Sequence, residues 1–146
     1  MRQAFQNFVE GSGRAKAAYA QGFYIEVINL RVQHTEFWLR ILLVHGKGAG
    51  FVIPPDDRRT FGEVIESCAK ALPGALLARL RAFNRVRIEA VHKYLLGATD
   101  YGALKQACDD SVGIDKDVYD LVLTTVGRPV TTVDGRIGEV VVRRGV

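Results

Sequence analysis

Arg87, His92 and Tyr94 are the residues of this chain best placed to do chemistry, and they fall in one short stretch, FNRVRIEAVHKYL, residues 83 to 95. A histidine that titrates near neutrality can take the proton from a ribose 2′-hydroxyl or return one to a leaving 5′-oxygen. An arginine, charged at every working pH, can hold a phosphate and stabilise the charge that builds on it in the transition state. The pair Arg87 and His92 therefore points to metal-free cleavage of RNA. Asn84 and Arg85 stand beside them as groups that could orient or replace Arg87. A plain solvated helix face accounts for Glu89 and Lys93 as an i,i+4 pair. It accounts less well for Asn84, Arg87 and His92.

The elements that must position these residues read as helices. QAFQNFVE is a short helix that Gly11, Ser12 and Gly13 interrupt, and helical spacing resumes at Arg14. From about Tyr19 to His45, apolar residues such as Ile25, Ile28, Val32, Trp38, Ile41 and Leu42 recur at helical spacing. Gly46 is placed to cap that helix, and GKGAGFVIPPDDRR, with Pro54-Pro55, follows as a loop. Thr60 and Glu63 form a capping box that opens the next helix, which Pro73 and Gly74 stop. The chemistry-bearing helix runs from about Ala75 to Leu96. Thr99 or Asp100 caps another through about Val112, and Asp115 caps one to Val126. The tail RPVTTVDGRIGEVVV is rich in Val, Thr and Ile around Asp134-Gly135, which predicts a β-hairpin over about 129–143. The expectation is an all-α class: a small helical bundle with a short C-terminal β-hairpin, as one domain over 1–146.

The totals fit that size. The 146 residues are 48% hydrophobic and 25% charged, enough for one core and unlike a disordered or fibrous chain. The window FWLRILLVHG is interrupted by Arg40 and too short to cross a bilayer. The N-terminal stretch shows no apolar run of secretory type, and Cys68 and Cys108 have no metal-type spacing. A cytoplasmic protein with reduced thiols, no membrane partner, no metal and no cofactor is expected. The net charge of +4 adds weak support for a polyanionic partner.

Other features carry less. HGKGAG lacks the phosphate-loop pattern and follows a helix, so it reads as a connection. His34 and His45 read as ordinary core-edge or surface histidines. Arg58 and Arg59, next to Asp56 and Asp57, read as a solvated loop; a border to an RNA groove is the weaker alternative.

With Lys93 and Tyr94 the stretch reads Arg87-x4-His92-x-Tyr94. This resembles the R-x4–6-H signature of HEPN domains, a family of all-α domains, and the R-x4-H-x-Y form found in HepT-type toxins of toxin–antitoxin pairs. The lead-in LRAFNRVR and the segment YIEVINLRVQHTEFWLRILL are also similar to that family, over a helical core of about 15–127. The resemblance implies a metal-independent endoribonuclease of a toxin or antiphage system, acting on RNA as a homodimer with the cleft at the subunit interface. It also implies a cognate antitoxin of nucleotidyltransferase type. Arg87 and His92 would be catalytic. Tyr94 matches the tyrosine that receives AMP in that family, beside the plainer reading of a tyrosine packed at the dimer seam. The sequence departs from the pattern at Ile88, where the family often has a polar residue, and in its C-terminal hairpin. The alternative is a non-catalytic HEPN-fold module that binds RNA, a nucleotide or a protein partner. A third reading drops the family for a helical interaction protein whose hairpin adds a strand to a partner.

Spacing leaves one geometric problem. At about 100° per residue, Arg87 and His92 lie about 140° apart around a straight helix. Arg85 and His92, seven apart, share a stripe, and so do Arg87 and Tyr94. Either the helix distorts, or Arg87 reaches around, or a partner supplies the missing group. Arg87 is the first choice for the arginine and Arg85 its substitute.

Overall fold

A computed structural model describes residues 2–46, 57–126, 129–130 and 141–142 of the chain. Six α-helices dominate it: α1 (Arg2–Ala20), α2 (Tyr24–Gly46), α3 (Phe61–Cys68), α4 (Gly74–Leu95), α5 (Tyr101–Asp110) and α6 (Ile114–Val126). A single 3-10 turn, Ala69–Ala71, joins α3 to α4. The all-α class expected from the sequence is what the described residues show. Beyond α6 the described backbone is two short segments, β1 (Pro129–Val130) and β2 (Val141–Val142), paired antiparallel. The turn expected at Asp134-Gly135, and most of the expected hairpin with it, lies outside the described residues. No helix among the described residues is long and apolar enough to cross a membrane.

α2 is the axis of the bundle. It packs against α1, α3, α5 and α6, while α4 closes the other side against α3, α5 and α6. The reason is its apolar ladder: Ile28, Val32, Thr35, Leu39 and Leu42 recur every three or four residues, and all are buried. Two apolar clusters form along it. One joins Trp38, Leu39 and Leu42 to Phe61, Val64 and Ile65 of α3, Leu80 and Phe83 of α4, and Val118 and Val122 of α6. The other joins Val27 and Ile28 to Ala90 of α4 and to Leu104, Ala107 and Cys108 of α5. α4 thus contributes to both.

Local chemistry sets the helix ends. The Thr60 hydroxyl accepts from the Glu63 amide at 3.4 Å, and Glu63 Oε2 accepts from the Thr60 amide at 2.6 Å, completing the expected capping box. α4 ends in a Schellman motif: the Ala98 amide donates to the Lys93 carbonyl at 2.7 Å and the Gly97 amide to the Tyr94 carbonyl at 2.9 Å. Gly97 takes φ +69° there. Asp100, not Thr99, caps α5 through the Ala103 amide.

Three sequence expectations are corrected. Gly11, Ser12 and Gly13 do not interrupt α1, which is continuous through them. The break lies instead at Gly22, with φ +78°, so the long helix starts at Tyr24 and not Tyr19. Asp115 does not cap α6 but sits in its first turn, behind Gly113 at φ +79°. The first correction has a packing cause. Gly11 is buried against His34, and a Cβ there would come within 2.5 Å of His34 Nε2. That contact between α1 and α2 outweighs the low helix propensity of glycine.

Gly11→Ala and Gly13→Ala should therefore shift stability in opposite directions. The first forces a buried ring to move and should cost about 1–3 kcal/mol. The second meets nothing within 4 Å and should gain up to about 1 kcal/mol of helix propensity. Urea unfolding midpoints measure both. Equal shifts in one direction would mean that α1 does not rest on His34.

Candidate functional site

The side chains of the opening stretch all project from α4, an unbroken helix, so their directions follow from its repeat. Leu76, Leu80, Phe83 and Ala90 are its buried residues and define its inward side. Arg87 and Tyr94 lie on that side and are half-buried, whereas Arg85 and His92 lie on the opposite side and are exposed. The helix does not distort to bring Arg87 and His92 together within one chain.

Arg87 is held where it is. Its Nε and Nη2 both donate to Oδ1 of Asn84, at 3.1 and 3.0 Å. Its guanidinium carbon sits 5.6 Å from the centre of the Phe61 ring, a distance at which the ring face attracts a cation. Burial lowers the Arg87 pKa, and the charge of Glu36 on α2 opposes that shift. The group stays charged at physiological pH. Gly62, next to Phe61, lets α3 approach closely, since a Cβ there would fall 2.9 Å from the Asn84 amide nitrogen. Asn84 and Arg87 are thus joined, as i,i+3 spacing allows.

Tyr94 also turns inward. Its ring centre lies 5.3 Å from that of Tyr101, which lies 5.2 Å from Tyr24, itself 5.7 Å from Tyr19. This row of four aromatic rings ties α1, α2, α4 and α5 together.

The outward side is different in character. Among the described residues, the side chains of Arg85 and His92 make neither a hydrogen bond nor an ion pair, although the His92 carbonyl accepts from the Leu96 amide at 3.0 Å. Ile88 is 44% exposed between them, and Leu95 and Leu96, at 72% and 78%, continue the stripe toward the helix end. Two ionisable side chains are thus framed by uncovered apolar ones.

Arg58 and Arg59 part company. Arg59 grips Asp57 with Nε at 2.9 Å and Nη2 at 2.5 Å. Arg40 binds the same carboxylate, and it donates to Glu36 Oε1 at 3.0 and 2.6 Å and to the Arg59 carbonyl at 2.9 Å. Arg59 is therefore part of an internal ion network, whereas Arg58 is exposed. The hydrogen bond from Arg59, then its amide and the charges of Arg40 and Arg59, hold the Asp57 carboxyl well below the usual carboxylate range, against the effect of burial.

Sequence reasoning missed Phe61 and Gly62 as the seat of Arg87. The Thr60 cap placed them at the start of α3, but nothing local said that α3 would meet α4 there. It also read His34 as ordinary. His34 is buried, with Nδ1 3.7 Å from Asp115 Oδ2 on α6, a contact between residues too far apart in sequence for any motif to reveal. His45 lies outside the residues whose side chains are described.

Asp57 gives a pH test. Its folded carboxyl is a stronger acid than in the unfolded chain, so on acidification the unfolded chain binds that proton first. Its contribution to stability is complete above about pH 4, the ordinary range, and is lost as the pH falls through the lower folded value. Urea midpoints measured across acidic pH should fall more steeply for wild type than for Asp57→Asn. Parallel curves would remove the network from the account.

Compared with protein-family models, with curated proteins and with solved structures, the chain matches none.

Proposed function

We propose that the chain is a metal-independent endoribonuclease of HEPN type, a cytoplasmic toxin or antiphage component. It acts as a homodimer whose cleft forms where the outward faces of two α4 helices meet. The C-terminal segment, read as a β-hairpin around Asp134-Gly135, is an appendage to that helical core. The observation that supports the reading is the exposed stripe of Arg85, Ile88, His92 and Leu95. It combines an acid–base group and a fixed cation with apolar residues that lose contact with water when a second copy covers them.

Two arginines can serve. Arg87 fits the family motif, and Arg85 fits the face that His92 occupies. The geometry favours Arg85 for the cleft, with Arg87 fixing α4 to α3 through Asn84 and Phe61. In the reaction, His92 of one protomer removes the 2′-hydroxyl proton, and the oxygen so freed attacks the adjacent phosphorus. The bond to the 5′-oxygen breaks, and His92 of the partner subunit, in its protonated form, supplies that oxygen with a proton. Arg85 faces the non-bridging oxygens, where negative charge accumulates. The products are a 2′,3′-cyclic phosphate and a 5′-hydroxyl. Tyr94 packs against Tyr101 and belongs to the scaffold of this face. A nucleotidyltransferase-like antitoxin fits the toxin setting.

One observation favours the second reading, a non-catalytic HEPN-fold module. Arg87, the motif arginine, is engaged by Asn84 and Phe61.

Incubation with RNA in EDTA separates the two. Wild type should cut, and His92→Ala should cut about 10²–10⁴-fold more slowly. Arg85→Ala should lose more activity than Arg87→Ala, whose main deficit should be a lower urea midpoint. RNA bound but left whole by wild type would support the binding module. Equal cutting by wild type and His92→Ala would end the catalytic reading.

A further inference from the structure

Away from α4, the second half of α1, the middle of α2 and the start of α6 line an open cavity of about 530 Å³. That volume lies in the range of sites for small organic molecules. Its floor is polar and its walls are mostly apolar. His34 and Asp115 meet at the bottom, 3.7 Å apart. Arg31 reaches in from α2 and is fixed by Nη1, which donates to the Cys108 carbonyl at 2.6 Å and to Ser111 Oγ at 2.7 Å. The rings of Tyr19 on α1 and Tyr119 on α6 form part of the walls, and Lys16 stands at the mouth.

The charges of this cavity do not cancel. Asp115 is half-buried. Burial pushes its carboxyl up, but the His34 ring, the Lys116 amide and the charge of Arg31 outweigh that and leave it below its ordinary value. It is therefore ionised at neutral pH and offsets Arg31. Lys116, also at the rim, is paired with Asp120 at 2.5 Å. Lys16 has no ion pair among the described residues, so its charge is the one left over. A dianion such as phosphate would face Asp115 with too little compensation. A monoanion with a flat apolar body matches both the charge and the two aromatic walls.

We propose that this cavity binds an aromatic monocarboxylate, its ring between Tyr19 and Tyr119 and its carboxylate turned toward Lys16 and Arg31. The site is separate from the outward face of α4, and it stands or falls independently of the ribonuclease reading.

Benzoate is a suitable probe, followed by two-dimensional amide NMR of the full chain, with benzamide and inorganic phosphate in parallel. Benzoate should give saturable shifts confined to the Ser12–Tyr19, Arg31–His34 and Val112–Tyr119 segments. Benzamide, equal in shape but uncharged, should bind at least about tenfold more weakly, the factor expected for one lost charge-assisted contact. Lys16→Glu, an exposed change that leaves the fold in place, should weaken benzoate by a similar factor. Ala15→Trp should abolish binding by filling the cavity. Absence of saturable shifts with benzoate, equal binding of benzamide, or phosphate binding as well as benzoate would each overturn the proposal. So would unchanged affinity in Lys16→Glu, even if Ala15→Trp fails to fold.

Discussion

The rotation of α4 about its own axis is the constraint on which the rest of the site depends. Leu76, Leu80, Phe83 and Ala90 are all buried, and burying each large one is worth about 1.5–3 kcal/mol. Turning the helix by one residue position in either direction would put Arg79 or Arg81 in the place of Leu80, at a far greater cost. With the rotation fixed, Arg87 and Tyr94 face the bundle and Arg85 and His92 face water. The separation of motif arginine and motif histidine is thus a consequence of core packing.

The inward side shows what that arrangement does for the fold. The ring of Phe61 has the Arg87 guanidinium near one part of its surface and the Phe83 ring near another, with centres 6.1 Å apart. Glu36 links this corner to Arg40, Asp57 and Arg59. The result is a charged seam that joins α2, α4 and the segment leading into α3. Its groups are partly sheltered from solvent, so removing one partner would leave the others uncompensated.

Much of this was legible in the sequence. The capping box at Thr60 and Glu63, the stop at Pro73 and the span of α4 follow from local rules, and the spacing alone separated Arg87 from His92. What was not legible came from contacts between distant segments. Gly11 and Gly13 look alike in sequence, yet one lies against His34 and the other in open space. Arg58 and Arg59 are neighbours, but only Arg59 meets Asp57 in a geometry that also admits Arg40. His34 and Asp115 belong to different helices, and no spacing rule connects them. The family resemblance rests on a short motif whose residues the structure places on two faces of one helix.

The central claim is that two copies of the chain meet across the outward face of α4. A cysteine introduced at that face would report on it directly. The native thiols do not interfere, because Cys68 and Cys108 are buried, with burial raising both to about 11, and thiols in that state are unreactive at mildly alkaline pH. Under mild oxidation His92→Cys should form a disulfide-linked dimer rapidly, whereas Lys70→Cys, exposed on the 3-10 turn, should stay monomeric on a denaturing gel. If His92→Cys crosslinks no faster than Lys70→Cys, α4 does not form the seam, and the shared cleft is lost with it.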